Sequence, residues 1–504
     1  MGLINDLMAA MVGSQGKLIA FSGRQRVDIT YDKLYLRVCN AARWLKNKGL
    51  RQGDVLGIIG KNELEWIIAD LACIYSGIKL LPLEMHTDPG QLNGGRLQLT
   101  ALLVSREYAG TVAFNVTLPL MLLAELAAAP DTGNEGDAPY TYNPDEVLSY
   151  KFTSGSSGVA KIIGHAVQSA ENSIQAVQAL FQHNSQDRML LFLPLNLLQQ
   201  RYWIYSSILF GFTVIVVPKE YVFVAFKQER PTVFMGVPYI FEVIYHQFRI
   251  REENNNTVQQ ELKAFLGGHI RYLWTGSAPI SKDIVTFYFN MGVPLYQGYG
   301  MNETCIIAKN HPARNKTGSV GPVFPGVRLR FDDQGQILVK SDFPVCDSYA
   351  LAPPGEDLRT FRKDGYVATG DIGFLDEEGY LFITGRIKDL IVLSNSKKIF
   401  PRQIEETLEE DTAIHRCILY GDNKPYLVAM IIPSRKSIGH SEIADAVEKF
   451  NRKSKEEERI YKFHISYDGI TEEDKMLSNQ HKIRRKALYE KFHSEFELLY
   501  NNEP

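Results

Sequence analysis

The sequence predicts an α/β protein: a large N-terminal domain of helix-covered sheets that includes a β-rich subdomain, followed by a small α+β C-terminal domain. Three observations lead there. The chain has 504 residues, more than one ordinary hydrophobic core serves. Strand-length apolar runs alternate with helical patterns up to about residue 315, the signature of a largely parallel sheet covered by helices. The texture then changes twice, to short strands joined by tight turns, and from residue 387 to shorter, more charged elements. The expected boundaries are therefore 1–386 for the large domain, with its β-rich part at about 315–386, and 387–504 for the small one.

Each element has a local reason. In "TYDKLYLRVCNAARWLKNKGL", Leu34, Val38, Ala41, Ala42 and Leu45 share one helical face, Thr30 suits the N-cap, and Lys46, Lys48 and Gly49 suit the C-terminus. "DVLGIIG" reads as a buried strand, "LEWIIADLACIYSG" as a helix and "IKLLPL" as a strand, and "TALLVS", "RMLLFLPL" and "TVIVVP" are later strand-length runs. The apolar stretch 118–129 reads as a buried or amphipathic helix; Glu125 interrupts it and it falls short of the ~20 residues a membrane span needs. "REENNNTVQQE" at 251–261 reads as a surface loop. Further on, "GVRLRFDDQGQILVKS" and "GYLFITGR" read as strands joined at Asp-Gln-Gly and Glu-Glu-Gly turns. "IVLSNSKKIFPRQIEETLEE" reads as strand, turn and helix, and the segment from Ile465 as a polar loop followed by a basic helix.

Composition narrows the class. Hydrophobic residues are 45%, charged residues 22% and the formal net charge is −3, with no basic excess to suggest nucleic acid. Cys39, Cys73, Cys305, Cys346 and Cys417 show no CxxC spacing, so neither a zinc site nor a disulfide framework is indicated, and a reducing cytoplasmic setting is expected. The N-terminus does not read as a signal peptide, and Asp6 stands where a myristoylation motif wants Ser or Thr.

"TSGSSGVAK" at 153–161 crowds hydroxyls, glycines and a lysine together. Glycines let backbone N–H groups converge, and a lysine adds a mobile charge, which suits phosphate oxygens. A Walker A loop is excluded: Gly155 and Gly158 are too close, and Ile162 after Lys161 has no hydroxyl for magnesium. On this segment alone a polar turn and a phosphate loop both stand.

Four later segments, in order, are "YQGYGMNET" (296–304), "TGD" (369–371), "GRIKDLI" (385–391) and "LSNQHKIRR" (477–485). Together the five resemble the motifs of the adenylate-forming superfamily, which contains acyl-CoA synthetases, luciferases and peptide-synthetase adenylation domains. "LFLPLNLLQQR" (191–201), "RPTVFMGVPYIFEVIY" (230–245), "GGHIRYLWTGSAPIS" (267–281) and "GDNKPYLVAMIIP" (421–433) are similar to its long-chain fatty acyl-CoA synthetase branch. The resemblance implies a large α/β domain and a small mobile domain that rotates between two half-reactions. ATP with Mg2+ first activates a carboxylic acid as its acyl adenylate. A phosphopantetheine thiol, on CoA or on an acyl carrier protein, then displaces AMP.

It also implies roles. Thr153, Ser154, Gly155, Ser156, Ser157, Gly158 and Lys161 would form the phosphate loop. Glu303 would bind magnesium and Asn302 would face the α-phosphate. Gly276, Ser277, Ala278 and Pro279 would form one wall of the adenine slot, and Gln297, Gly298, Tyr299 and Gly300 the other. Asp371, Ile383 and Arg386 would hold the nucleoside, Lys388 would be the hinge, and Lys482 would bridge the substrate carboxylate and α-phosphate. Ser394, Asn395 and Ser396 would line the pantetheine tunnel, and Asn196, Trp203, Val237, Trp274, Thr275 and Tyr296 the acyl pocket.

Two positions depart from the family pattern. Asn302 replaces a threonine whose hydroxyl contacts the α-phosphate, and Asn395-Ser396 replaces two glycines of "SGGKN". Glycine there permits positive φ and close backbone approach. The sequence thus points to a carboxylate-adenylating ligase for a fatty or other hydrophobic acid, with CoA as the expected acceptor. An acyl-AMP or acyl-carrier-protein ligase for an aryl or short-chain acid, and a catalytically weak nucleotide- or acyl-binding partner protein, are its alternatives.

Overall fold

Two sheets share one core. The computed structural model describes residues 2–501 apart from 23–24, 85–86, 88, 93–96, 113–117, 128–137, 155–159, 250–254, 468–475 and 477–483. The eight-stranded sheet runs Cys305–Lys309, Leu295–Met301, Tyr272–Thr275, Val233–Gly236, Arg188–Leu191, Thr213–Val216, Lys17–Ser22, Gln25–Thr30. Only its outermost pair at each end is antiparallel. The six-stranded sheet runs Leu120–Leu122, Leu99–Val104, Val55–Ile59, Lys79–Pro82, Val147–Ser154, Ala160–Ala166, and only its last pair is antiparallel. Strands such as Val55–Ile59 and Val233–Gly236 are buried at every position, as parallel strands covered on both faces must be. A single apolar cluster joins Leu56 and Ile58 of one sheet to Val214 and Met235 of the other through Leu34, Ile68, Ile174 and Tyr205 of the intervening helices.

A buried ion pair fixes that layer. Arg201 meets Asp70 at 2.5 Å, Tyr205 donates to Asp70 at 2.6 Å, and Arg201 also donates to Ser149 at 2.9 Å. Helix Leu198–Phe210 is thereby tied to helix Leu64–Ser76 and to strand Val147–Ser154.

The β-rich part is a four-stranded antiparallel sheet of Val327–Phe331, Gln336–Ser341, Val367–Leu375 and Leu381–Arg386. Its tight turns place Gly335 and Gly379 at φ +76° and +80°, where glycine avoids the Cβ clash. Beyond it, a short hairpin (Ile391–Val392, Lys398–Ile399) leads into helix Pro401–Glu409 and a three-stranded sheet of Ile414–Tyr420, Leu427–Pro433 and Ile460–Ile465. This sheet buries apolar residues on both faces, against helices Pro401–Glu409 and His440–Asn451 on one side and Arg485–Lys491 and His493–Asn501 on the other.

Three local expectations change. Residues 118–129 do not begin as a helix: Leu120–Leu122 pairs with Leu102–Val104 as an edge strand, and among the described residues of the stretch the helix is Leu123–Ala127. Pairing to an exposed sheet edge outweighs helix propensity there. The polar 251–261 segment contains the start of helix Asn255–Phe265, because Val258 and Leu262 dock on the second core. Thr30 occupies the N-cap position, but its side chain makes no capping hydrogen bond. All five cysteines are free thiols, and no helix among the described residues is long and apolar enough to cross a membrane.

Candidate active site

The hairpin Leu295–Met301/Cys305–Lys309 at one edge of the large sheet organises the site. Its neighbour in the sheet, Tyr272–Thr275, pairs Thr275 with Gln297 and then turns through Gly276–Pro279. Ser277 takes φ +70° in that turn. A Cβ on Gly276 would lie 3.0 Å from the Gly298 carbonyl, and one on Gly300 would lie 2.2 Å from that of Cys305. Backbone therefore approaches backbone closely at Gly276 and at Gly300, where a side chain would not fit. Gln297 keeps its carbonyl in the ladder, accepting from Asn310 N at 2.9 Å.

Tyr299 donates to Asp371 at 2.6 Å, and Arg386 Nε meets the other carboxylate oxygen at 2.8 Å. Asp371 and Arg386 are direct partners across the antiparallel ladder, so the pairing follows from strand register. Gly370 at φ +73° and Thr369, whose hydroxyl accepts from Asp371 N at 3.0 Å, aim the carboxylate. Burial pushes the Tyr299 phenol far above its ordinary pKa and Asp371 adds to it, so Tyr299 remains a donor. Asp371 in turn raises the Arg386 guanidinium. Ile383 packs with Tyr299 in the small core of the β-rich part.

A second constellation surrounds Lys161, which pairs with Thr153 across the Val147–Ser154/Ala160–Ala166 hairpin. Its buried ammonium contacts Glu356 and sits 5.3 Å from the centre of the Tyr349 ring. Tyr349 donates to Glu303 at 2.8 Å, and its hydroxyl lies 3.3 Å from that of Thr360. Glu303 is buried in the turn between the two hairpin strands, beside half-buried Asn302. The ion pair with Lys161 holds the Glu356 carboxyl below its ordinary pKa, and Lys388 contributes to this. Gly155, Ser156, Ser157 and Gly158 lie outside the described residues, as do the side chains of Thr153 and Ser154.

Lys388 is exposed in the turn Ile387–Asp389 that connects the β-rich part to the C-terminal region. Ser394, Asn395 and Ser396 form an exposed turn in the next hairpin. The left-handed position there is Ser396, at φ +66°, while Asn395 accepts from Lys397 N at 3.0 Å through its side chain. Lys482 lies outside the described residues. Both flanks of its segment are anchored: Arg484 N donates to the carbonyl of Met476 at 2.8 Å, and Arg485 pairs with the fully buried Glu405.

Of the remaining side chains, Trp203, Trp274 and Tyr296 share one buried cluster. Trp203 and Trp274 are buried and meet edge to face at 5.2 Å; Trp203 Nε1 donates to Met235 Sδ at 3.1 Å. Tyr296 packs against Tyr272 and Phe181 in the same aromatic group. Val237 is buried just beyond Val233–Gly236. Asn196 Oδ1 and Thr275 Oγ1 are buried without hydrogen-bond partners. Tyr349, Glu356 and Thr360 are additions that the sequence did not single out. They lie in a non-periodic stretch, and their contacts with Lys161 and Glu303 are distant in sequence.

The donor set fits ATP with magnesium. Among the described residues no group of three or more His, Cys, Asp or Glu side chains could hold a metal. Magnesium that arrives with a triphosphate needs only one or two carboxylates, since phosphate oxygens and water complete its octahedron. Glu303, buried and hydrogen-bonded by the Tyr349 hydroxyl, is a carboxylate that could serve as one of them.

Comparison with known proteins identifies the family. The family of AMP-binding enzymes matches residues 10–342, and its C-terminal domain matches residues 388–504. A long-chain-fatty-acid–CoA ligase of Mycobacterium bovis is 25% identical over 94% of this chain and 93% of its own length. A feruloyl-CoA synthase of an Amycolatopsis species is 28% identical over 79% of this chain and 81% of its own. The o-succinylbenzoate coenzyme A synthetase of Bacillus subtilis, solved with ATP and magnesium ion, superposes with a TM-score of 0.78 over 96% of this chain and 99% of its own at 21% identity. The chain belongs to the AMP-binding enzyme family, the AMP-forming acid–CoA ligases.

Proposed function

We propose that the chain joins a hydrophobic carboxylic acid, fatty or aryl, to coenzyme A through an acyl adenylate. The observation that carries this reading is that one hairpin presents Tyr299 to Asp371 and, four residues on, Glu303 to Tyr349 beside Lys161. A nucleoside contact and a phosphate–metal contact thus come from one rigid element. The named acids of the relatives, fatty and feruloyl, support the hydrophobic class.

In the first half-reaction a carboxylate oxygen attacks the α-phosphorus, and the bond to the bridging oxygen of the leaving pyrophosphate breaks. The barrier is largely the repulsion between two anions, so cations and donors aimed at the phosphoryl oxygens lower it. Lys161 and the residues 153–158 hold the β- and γ-phosphates, and Asn302 donates its amide N–H to the α-phosphate. Glu303 holds magnesium, which when bound neutralises phosphate charge. Lys482 bridges the incoming carboxylate and the α-phosphate. Each Asp371 oxygen already accepts one hydrogen bond and has a lone pair left, so the pair receives the two ribose hydroxyls. The adenine lies between Gly276–Pro279 and Gln297–Gly300.

In the second half-reaction the C-terminal domain swings about Lys388 and presents the turn Ser394–Ser396 to the pantetheine arm. The thiolate attacks the acyl carbonyl and AMP leaves with the bonding electrons. The acid's apolar body packs on Trp203, Val237, Trp274 and Tyr296, with Asn196 and Thr275 nearer the reacting end. Five free thiols suit a reducing compartment. Pyrophosphate exchange into ATP, driven by a panel of fatty and aryl acids and repeated as thioester formation with CoA, tests the reading. Absence of exchange with every acid, in folded protein that binds ATP, overturns it.

A further inference from the structure

Lys309 is fully buried at the end of Cys305–Lys309, the second strand of the hairpin that carries Tyr299. It stands opposite Gly298 in the ladder. Its stem lies flat across that glycine: a Cβ on Gly298 would come within 2.7 Å of Lys309 Cδ. The side chain therefore crosses the sheet face instead of leaving its edge. Its ammonium reaches the Tyr296 carbonyl at 3.2 Å, the Trp274 ring centre at 3.3 Å and the Phe181 ring at 5.9 Å. Trp274 and Tyr296 are side chains assigned above to the acyl pocket.

Two other buried cations have carboxylate partners, Arg201 in Asp70 and Lys161 in Glu356. A third, Lys151, meets the Asn196 carbonyl as Lys309 meets that of Tyr296, but it also feels the charge of Glu84. Among the described residues no carboxylate pairs with Lys309. An ammonium carries three donors, and here one is met by a carbonyl while aromatic faces surround the rest. Burial accordingly drives its pKa well below the ordinary lysine value. Apolar packing alone gives no reason for a lysine where a leucine or methionine would fill the space without desolvating an amine. An anion brought in by the substrate supplies the missing partner and restores the charged form.

We propose that Lys309 receives a second carboxylate on the acid, distant from the reacting carboxyl, so that the preferred substrates are dicarboxylic acids with an apolar or aromatic body. This inference rests on the acid-activating reading above and names its substrate class. The reacting carboxyl goes to the α-phosphate; the second stays intact and forms an ion pair with Lys309 beside Trp274 and Tyr296.

The test is acid-dependent pyrophosphate exchange with matched pairs: straight-chain dicarboxylic against monocarboxylic acids of equal length, and arylalkanoic acids with and without a ring carboxylate. In the unaltered enzyme the best diacid should exceed its monoacid partner in kcat/KM by roughly 100-fold, because the monoacid leaves a buried amine unpaired. Lys309→Met should remove that preference, improve use of the monoacid, and leave ATP affinity by calorimetry unchanged. Equal or better use of monoacids by the unaltered enzyme overturns the proposal, as does a diacid preference that survives in Lys309→Met. The comparison within pairs decides even where Lys309→Met fails to fold. Exchange with no acid of either kind, in protein that binds ATP, overturns the acid-activating reading itself together with this inference.

Discussion

Tyr349 donates a 2.8 Å hydrogen bond to Glu303, and the face of the same ring lies 5.3 Å from the ammonium of Lys161. A phenol therefore stands between the Lys161 ammonium and the buried Glu303 carboxylate. Burial and the Glu303 charge push that phenol far above its ordinary pKa, so it remains a donor across the working pH range. A hydroxyl fixed in this way aims one carboxylate oxygen and leaves the other for a metal.

Tyr349→Phe should therefore weaken magnesium more than nucleotide. The ring and its contact with Lys161 survive, and only the donor to Glu303 is lost. The free Mg2+ concentration that gives half-maximal pyrophosphate exchange should rise roughly 10-fold, the usual effect of removing a group that orients a metal ligand. ATP affinity measured without metal should not move. An unchanged Mg2+ midpoint would detach Tyr349 from the metal.

Glu356 occupies Lys161 where triphosphate oxygens are proposed to go. Glu356→Gln removes a like charge that competes with ATP. Affinity for ATP should tighten by roughly 5-fold or more, because a carboxylate that shares a largely buried site with Lys161 no longer competes for its ammonium. The pH sign follows from the depressed carboxyl pKa. The pair's stabilisation is fully present above the ordinary glutamate value of 4.5 and is lost as pH falls through the lower folded value. Thermal melts below pH 5 should therefore fall less steeply for Glu356→Gln than for the unaltered protein. Looser ATP binding would show that Glu356 positions Lys161 instead of competing for it.

Asp371→Asn should raise the KM for ATP by roughly 30-fold or more, since charge-assisted hydrogen bonds are worth about 2 kcal/mol. The amide leaves Arg386 without its ion partner and turns an N–H toward Tyr299 or the nucleoside. Binding of a 2′,3′-dideoxy ATP analogue provides the control. If its affinity falls as far as that of ATP, Asp371 acts on Tyr299 and Arg386 and not on ribose hydroxyls.

Much of this architecture is legible because it is local. Asp371 and Arg386 face each other through the register of a hairpin whose Glu-Glu-Gly turn stands in the sequence. The buried strands announce themselves as unbroken apolar runs, as at Val55–Ile59. What escapes notice is made by distance. Glu356 meets Lys161 across 195 positions and Tyr349 meets Glu303 across 46, and neither pair leaves a periodic trace. Lys309 closes an apolar run as an ordinary strand end would. Only the glycine opposite it lets the side chain fold inward. Helix Asn255–Phe265 is disguised by Asn and Gln on its exposed side, although Val258 and Leu262 keep helical spacing.

Lys482→Ala should suppress pyrophosphate exchange far more than it alters folding. The flanking anchors, Arg484 to Met476 and Arg485 to Glu405, do not involve that side chain. An unchanged melting temperature with exchange reduced by roughly 100-fold or more is expected for a cation that meets the reacting oxygens. Unaltered exchange would remove Lys482 from the adenylation step.

The turn at residues 394–396 separates the two half-reactions. Ser396 is left-handed at φ +66°, a conformation that costs a residue with a Cβ about 1 kcal/mol and glycine almost nothing. Its backbone is held there, since Ser396 N donates to the Leu393 carbonyl at 2.8 Å and Leu393 N donates to that of Lys397 at 2.9 Å. Ser396→Gly should therefore stabilise the C-terminal domain slightly and thin the turn. Asn395→Gly additionally removes the side chain that accepts from Lys397 N, which loosens the turn while clearing space. If the pantetheine arm passes this turn, the double variant should raise CoA thioester formation, and pyrophosphate exchange, which needs no thiol, should stay as it was. A rise in both rates would point to faster domain rotation. No change in thioester formation would show that side-chain bulk at 395 and 396 does not limit transfer.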